Sequence, residues 1–346
     1  MGLDSIEQFL QGQNIVASAP SRVDIGGTWD IPAFALPFWR FMPATVNVAI
    51  NLRTIARLEP FRKGWTRVTS QGFKPEEYPG DEAPFNTALG YVFACASYFG
   101  VTGLQIDISS ESPPKSALGG SGVLGVAVLY ALSKAANLRR HEELLSKERL
   151  VRAAYELESS LSISLTGMQD QAAAAYGGAN LWHWLDGGQF NRTPISSTGT
   201  DISRNILVAY SGVNHDSSII NQTWIEGFLG GQHRSMWLEI NENTTAFADA
   251  FRQERWKEAA NYMNRETDIR RALTEDVLIP STEKLVDAAR MANCGARFTG
   301  AGAGGCVWAI GQADEIDSLR DVWRKILSGT EDGKILDVEI DTKGAL

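Results

Sequence analysis

Four short segments of this 346-residue chain combine glycine with groups able to hold anions, cations or hydroxyls. In Pro113-Pro114-Lys115-Ser116-Ala117-Leu118-Gly119-Gly120-Ser121-Gly122 the glycines run directly into a long apolar stretch. A helix that starts there presents free backbone N–H groups and its positive dipole end, and glycine lets the backbone close on an anion without a Cβ in the way. The segment is a candidate phosphate cradle, to which Lys115 can add charge and Ser121 a hydroxyl ligand for phosphate or a magnesium ion. It serves equally as a Gly-rich turn capped by serine. No GxxxxGK[ST] string occurs, which disfavours the P-loop class.

The other three segments are weaker when taken singly. Between Ser18 and Asp30, Arg22, Asp24 and Asp30 surround the turn Gly26-Gly27, where rigid backbone near a strand end can present polar groups to a ligand. Asp30 suits sugar hydroxyls, which favour carboxylate acceptors; it also suits a turn cap. In Gly167-Met168-Gln169-Asp170-Gln171, Asp170 follows Glu158 by twelve residues. A helix ending at Glu158 near the first glycine loop lets that carboxylate join Ser121 on Mg²⁺, a hard cation that prefers oxygen ligands, with Asp170 facing an acceptor. Glu158 otherwise reads as a solvated helix residue. The stretch Gly300 to Gly305 satisfies GxGxxG by letter, but a dinucleotide loop needs a helix after it, and 306–310 reads as a strand. Such a loop between strands can approach a neighbouring loop or ligand, or be a plain hairpin.

The elements that must position these groups alternate. Runs of β-branched residues bounded by Pro and Gly predict strands at 15–19, 44–51, 54–60 and 104–109, and helical spacing predicts a helix over 87–99. After the first glycine loop comes a helix apolar on nearly every side, hence buried, then an amphipathic helix over 146–158. Polar, turn-rich residues at 190–204 mark a domain boundary. Beyond it the pattern predicts strands at 206–210, 296–299, 306–310 and 335–340, with helices over 245–263, 282–291 and 313–327.

Composition narrows the class. With 44% hydrophobic and 21% charged residues the chain is globular, and its length suits about two domains. A net charge of −9 argues against a general nucleic-acid binder or a basic membrane-surface protein, so any anion must be held locally. Cys95, Cys294 and Cys306 are odd in number and lack metal-ligand spacing, which predicts reduced core thiols. The first residues lack a signal-peptide pattern, and the longest apolar run, 123–132, is about half of what a membrane span needs; a cytoplasmic protein is expected.

Taken together and in this order, the segments resemble the GHMP sugar and small-molecule kinase superfamily, whose three motifs span most of the chain. Pro114 through Gly122 is similar to its second motif, with Gly120 where many members carry serine, and Gly300 through Gly305 is similar to its third. The resemblance implies an α+β fold: an N-terminal domain like the second domain of ribosomal protein S5 over 1–195 and a ferredoxin-like C-terminal domain over 196–346. It implies ATP with Mg²⁺, the phosphates resting on Pro114, Lys115, Ser116, Gly119, Gly120, Ser121 and Gly122, and the metal on Ser121 and Glu158. Acceptor contacts are expected from Asp24, Gly27, Asp30, Gly302 and Ala303. Asp170 is expected to orient the acceptor hydroxyl, its part in taking the proton left open, and Arg22 to stabilise charge between acceptor and γ-phosphate.

Branch signals divide. SRVDIGGTWD and GMQDQAAAAYGGAN resemble the heptose-phosphate kinases and fucokinases, while GARFTGAGAGGC is similar to galactokinases; each phosphorylates a sugar, commonly at the anomeric position. The expected activity is transfer to a sugar hydroxyl at C1. The alternatives are a heptose-7-phosphate 1-kinase and a non-catalytic, sugar- and ATP-binding regulator. The mevalonate branch usually offers Lys where Arg22 stands, which favours sugars. Gly27-Thr28-Trp29-Asp30 reorders Thr and Trp relative to the fucokinase-like Gly-Gly-Trp-Thr-Asp, so a different hydroxyl pattern is expected. A phosphorylated acceptor needs further cations, for which Arg40, Arg53, Lys74, Arg204, Arg265 and Arg297 are candidates. Trp29 is placed to stack on a sugar face.

Overall fold

Valine, isoleucine and threonine recur through Ala44–Pro60, and in the computed structural model these 17 residues form one continuous strand rather than the expected two. The structure describes residues 3–162, 165–196, 202–214 and 218–346. One half of the long strand pairs with Ala179–Trp184 and the other with Leu104–Ser110. Its opposite edge carries Ile15–Ile25, whose register shifts between Pro20 and Ser21, where proline has no N–H to give the ladder. Trp65–Ser70, Glu76–Pro79 and Phe190–Pro194 complete a seven-stranded sheet.

Helix Gly120–Arg140 packs on Ile15–Ile25 and Ala44–Pro60, with helices Lys147–Leu161 and Gln169–Tyr176 beside it. That burial accounts for its apolar character on nearly every side: among the described residues it is the one helix long and apolar enough to cross a membrane, and most of it lies inside the protein. Ser146 caps the next helix by accepting a hydrogen bond from the Arg149 N–H. Together these helices place the N-terminus of Gly120–Arg140, the end of Lys147–Leu161 and the start of Gln169–Tyr176 close to one another: Gly122 abuts Asp170, and Glu158 accepts hydrogen bonds from Ser121 and Gln171.

The second domain is a four-stranded antiparallel sheet in the order Gly295–Phe298, Cys306–Ile310, Ile206–Tyr210, Lys334–Leu336. Along the chain, helices separate Ile206–Tyr210 from Gly295–Phe298 and Cys306–Ile310 from Lys334–Leu336, which is the ferredoxin-like connection. The expected helix over 245–263 is two, Arg234–Arg252 and Trp256–Leu273, broken at Glu254, which adopts φ +55° without any Gly or Pro to announce the turn. Helix Ser218–Leu229 had no counterpart among the sequence expectations. At the expected boundary, Phe190–Pro194 still belongs to the first sheet, and 197–201 lie outside the described residues. The three cysteines are free and buried.

The two domains do not divide the chain by a single cut. Residues 339–346 return to the first sheet: Asp341 N–H donates to Ala49 O at 2.9 Å, Ala345 N–H to Ala175 O at 3.2 Å, and Leu346 and Ser18 exchange backbone hydrogen bonds. Arg53 clamps this strap, pairing with the Asp341 carboxylate and donating to Gly344 O at 2.6 Å. The strap seats the C-terminal end of helix Gln169–Tyr176, since a Cβ on Gly177 would lie 2.4 Å from Gly344 N. Arg53→Met leaves Asp341 buried without its cation and is expected to cost about 3–5 kcal/mol in urea denaturation, with faster amide exchange at Ala345 and Leu346. A loss below about 1 kcal/mol with unchanged exchange contradicts the clamp.

Candidate active site

A cleft of about 740 Å³ opens where the glycine segments meet. Lys115, Ala117 and Gly119 all adopt left-handed φ (51°, 62°, 83°), the conformation from which backbone anion nests are made. Helix Gly120–Arg140 starts at once, and no side chain caps it, so its first-turn N–H groups are available to an anion. A Cβ on Gly120 would meet nothing within 4 Å, which leaves the mouth of the cradle open and fits a bound phosphate. Gly119 and Gly122 are needed for a different reason: their Cβ atoms would lie 3.1 Å from Asp170 Cγ and 2.7 Å from Asp170 Cβ. Pro114, Lys115, Ser116, Gly119, Gly120 and Ser121 line the cleft, while Gly122 lies behind it against Asp170.

The late glycine loop braces the first. Cys306 N–H donates to Ser116 O at 2.9 Å, and a Cβ on Gly305 would sit 2.8 Å from that carbonyl. Its cleft-lining residues are Gly300 and Ala301, not the expected Gly302 and Ala303. Those two dock on the turn Glu275–Val277: Ala303 N–H donates to Val277 O at 2.8 Å, and a Gly302 Cβ would be 2.4 Å from the same oxygen.

Arg22 and Asp170 come together as the sequence suggested. Arg22 Nε and Nη2 both reach Asp170 Oδ1, at 2.8 and 2.7 Å, and Nη1 donates to Ala117 O at 2.7 Å. Arg22 is buried; the Asp170 side chain stays 26% exposed at the cleft, open to a ligand. Glu158 lies beside them and accepts hydrogen bonds from Ser121 and, at 2.5 Å, from Gln171 Nε2. Burial pushes Glu158 up to about 7 despite those two donors, and the charge on Asp170 adds to the rise. Among the described residues no three His, Cys, Asp or Glu gather round a metal position. One carboxylate and a hydroxyl beside a phosphate cradle nevertheless fit Mg²⁺, which keeps waters and phosphates as its remaining ligands.

Asp30 lines the cleft with an unusual carboxylate. Oδ2 accepts the Gln169 N–H at 3.1 Å, whereas Oδ1 is buried with no partner. Burial, opposed by the Gln169 N–H, pushes Asp30 from 3.8 up to about 7. Gly167 makes room for it, since a Cβ there would fall 1.9 Å from Asp30 Oδ2.

Three expected ligand contacts are corrected. Asp24 is fully buried and spent internally: Oδ2 faces Arg297 Nη1 at 3.1 Å and Oδ1 accepts the Gly300 N–H at 2.8 Å. Gly27 lies under the loop, not on the cleft wall; its carbonyl accepts from Arg270 Nη2 at 2.6 Å, and a Cβ would strike Asp24 and Gln169. Trp29 is fully buried among Phe34, Phe38, Phe228 and Trp237 and donates its indole N–H to Trp237 O, so it stacks on no sugar.

The expected extra cations are also elsewhere. Arg40 sits over Trp39, Arg53 holds the strap, Arg204 pairs with Asp317, Arg265 with Glu239, and Arg297 with Glu266 and Asp24; exposed Lys74 is off the cleft. Among the described lining residues the basic ones are Arg22 and Lys115. Residues the sequence reading missed are Thr28, Gln169, Gln171 and Asn221 on the wall, and Glu266 and Arg270 behind it. Glu266 and Arg270 did leave a signal. They fall on the apolar stripe Trp256, Ala259, Ala260, Met263 of their helix, where charge has no place unless paired.

A family profile described as GHMP kinases N terminal domain matches residues 86–178, and one described as GHMP kinases C terminal matches 247–329. The chain is 26% identical over 343 residues to a mevalonate kinase of Pyrococcus abyssi, covering 91% of this chain and 93% of that protein. Lactococcus lactis galactokinase complexed with galactose superposes with a TM-score of 0.74 at 16% identity, covering 98% of each chain. Methanococcus jannaschii mevalonate kinase superposes with a TM-score of 0.71 at 17% identity, covering 96% of this chain and 99% of that one. At these identities the two solved structures bear on the fold alone.

The buried acid gives a stability test. Asp30 binds its proton more tightly folded than unfolded, so it costs stability as pH rises from about 4 through about 7, by about 4 kcal/mol in full. Asp30→Asn is expected to be more stable than the parent at pH 8, with the gap shrinking toward pH 5. Equal differences in denaturation midpoint at both pH values contradict the assignment.

Proposed function

We propose, from the premise that the chain belongs to the GHMP kinases, that it transfers the γ-phosphoryl group of ATP to the anomeric C1 hydroxyl of an uncharged sugar. The mevalonate kinases described above are phosphotransferases acting on an alcohol. The observation that carries the choice of acceptor is the charge of the cleft: Asp30 and Asp170 face it with Thr28, Gln169 and Asn221, while of its two described cations Arg22 is already engaged and Lys115 stands on the glycine loop proposed to hold phosphate. Arg22 is bonded to Asp170, and Lys115 belongs to the phosphate loop. An acceptor carrying its own carboxylate or phosphate would meet Asp170, already paired with Arg22, and Asp30, which burial leaves partly charged near neutrality, and like-charge contact with them is unfavourable. A polyol meets hydrogen-bond acceptors instead.

ATP, when bound with Mg²⁺, brings the phosphoryl group and the charge that offsets it. The chain's own residues do the positioning. Arg22 fixes Asp170 through one oxygen and leaves Oδ2 to orient the acceptor hydroxyl and take its proton as the new O–P bond forms and ADP departs. The Arg22 charge stands beside that transfer, and the uncapped helix start with Lys115 holds the phosphates. Arg22, Ser121, Glu158 and Asp170 together support catalysis over a purely regulatory role. A cytoplasmic setting, which supplies ATP and keeps the buried thiols reduced, is part of this reading.

A second reading, a hydroxy acid as acceptor, draws support from the mevalonate kinase of P. abyssi. An ADP-release assay over fucose, galactose, arabinose, mannose, heptose 7-phosphate and mevalonate separates them. A neutral sugar is expected to exceed mevalonate by about 100-fold or more in kcat/KM. Mevalonate as the best acceptor overturns the sugar assignment, and sugar binding without ADP release points to a regulator. Asp170→Asn is expected to lower kcat by about 10²- to 10⁴-fold with ATP binding retained; near-normal turnover removes Asp170 from the reaction.

A further inference from the structure

We infer that Glu266, on a second-domain helix that adds no residue to the cleft wall at this point, positions both ends of the reaction through two buried arginines: Arg297 for the Arg22–Asp170 pair and Arg270 for the acceptor loop. The inference rests on the phosphotransfer reading above. Glu266 Oε1 accepts from Arg270 Nε and Oε2 from Arg297 Nε, both at 2.9 Å, and all three side chains are fully buried.

From that carboxylate the two arms diverge. Arg297 Nη1 lies 3.1 Å from Asp24 Oδ2; Asp24 Oδ1 lies 3.5 Å from Arg22 Nη1, and Arg22 holds Asp170. This arm ends on the carboxylate assigned to the acceptor hydroxyl. Arg270 runs the other way. Its Nη2 donates to Gly27 O at 2.6 Å and its Nη1 to Thr28 Oγ1 at 3.2 Å, while its guanidinium carbon lies 4.7 Å from the ring centres of both Trp224 and Trp237. Thr28 adopts φ +81°, a left-handed conformation that a β-branched residue keeps only where its surroundings impose it. Arg270 bonds to both the carbonyl before that residue and its hydroxyl. The same short loop leads to Asp30 at the cleft.

Stability alone does not account for this arrangement, because well-packed apolar residues of similar volume commonly do as well as a buried ionic triad. What the triad provides is direction. Each guanidinium fork fixes the orientation of what it holds, and the two forks share one carboxylate as their common reference.

The arms separate by kinetics. The full chain is assayed with ATP, Mg²⁺ and whichever of fucose, galactose, arabinose, mannose, heptose 7-phosphate or mevalonate turns over fastest. Arg297→Lys keeps the charge but loses the fork, and is expected to lower kcat about 10- to 100-fold with both KM values within about twofold of the parent. Arg270→Lys is expected to raise acceptor KM about 10- to 100-fold with kcat and the KM for ATP within about twofold. If circular dichroism shows either variant unfolded, Asp24→Asn and Thr28→Val take their places, leaving Glu266 and both arginines intact, with the same split expected. The same parameter moving in both arms, or neither moving, overturns the inference. A parent chain that releases no ADP with any of these acceptors overturns the phosphotransfer reading itself, which is a different result.

Discussion

Six charged side chains of alternating sign, Asp170, Arg22, Asp24, Arg297, Glu266 and Arg270, run in one line from the cleft into the second domain and back beneath its floor. Four of them have fully buried side chains, and removing such groups from water costs several kcal/mol each unless every one is met by opposite charge and hydrogen bonds. Alternation meets that condition, because each interior member lies between two of the opposite sign and the line as a whole is neutral. Burial alone would raise Glu266, yet the two guanidiniums hold it below the usual carboxylate range. The domains cannot slide past one another without stranding a charge, so the cleft between their loops keeps its shape.

With that seam fixed, the loops can approach until backbone meets backbone. Gly305 lies on the Ser116 carbonyl, Gly122 on Asp170 and Gly167 on Asp30, each at a separation that no Cβ could share, while a Cβ on left-handed Gly119 would crowd Asp170 at 3.1 Å. The glycines therefore do two jobs that look alike in sequence. Gly120 leaves open space at the helix start, where the proposed phosphate would sit, whereas its neighbours let the Asp170 carboxylate press against the same glycine loop. The same crowding leaves Asp30 with an oxygen that no protein donor satisfies, a strained state for an acid and a ready one for a hydroxyl.

Much of this was legible in the sequence. The apolar helix after the first glycine loop, the strands at 206–210 and 306–310 and the helix at 313–327 follow from periodicity, and Arg22 and Asp170 meet as their motifs implied. What escaped has a common cause. Asp24, Gly27, Gly302 and Ala303 sit within motifs whose other members reach the cleft, and one residue's displacement along a strand or loop decides whether a group faces ligand or protein. Trp29 went astray in the same way: beside Asp30 in sequence, it points into an aromatic cluster. The turn at Glu254 carries no breaker residue, so tertiary packing alone ends one helix and begins the next. Glu266 and Arg270 were spaced like an ordinary surface pair, and only their place on an apolar stripe distinguishes them.

The strap of residues 339–346 has a consequence for how the protein is made. Helix Gln169–Tyr176 carries Asp170 at its start and leans at its far end on Gly344 and Ala345, residues synthesised about 170 positions later. The first sheet is translated long before the second domain, and domains commonly fold in that order as the chain emerges from the ribosome. Here the far end of the helix that carries Asp170 stays unsupported until residues 339–346 have been made and have docked. A nascent chain can thus build most of its first sheet while helix Gln169–Tyr176, which carries the carboxylate proposed to face the acceptor, still lacks the strap that seats its far end.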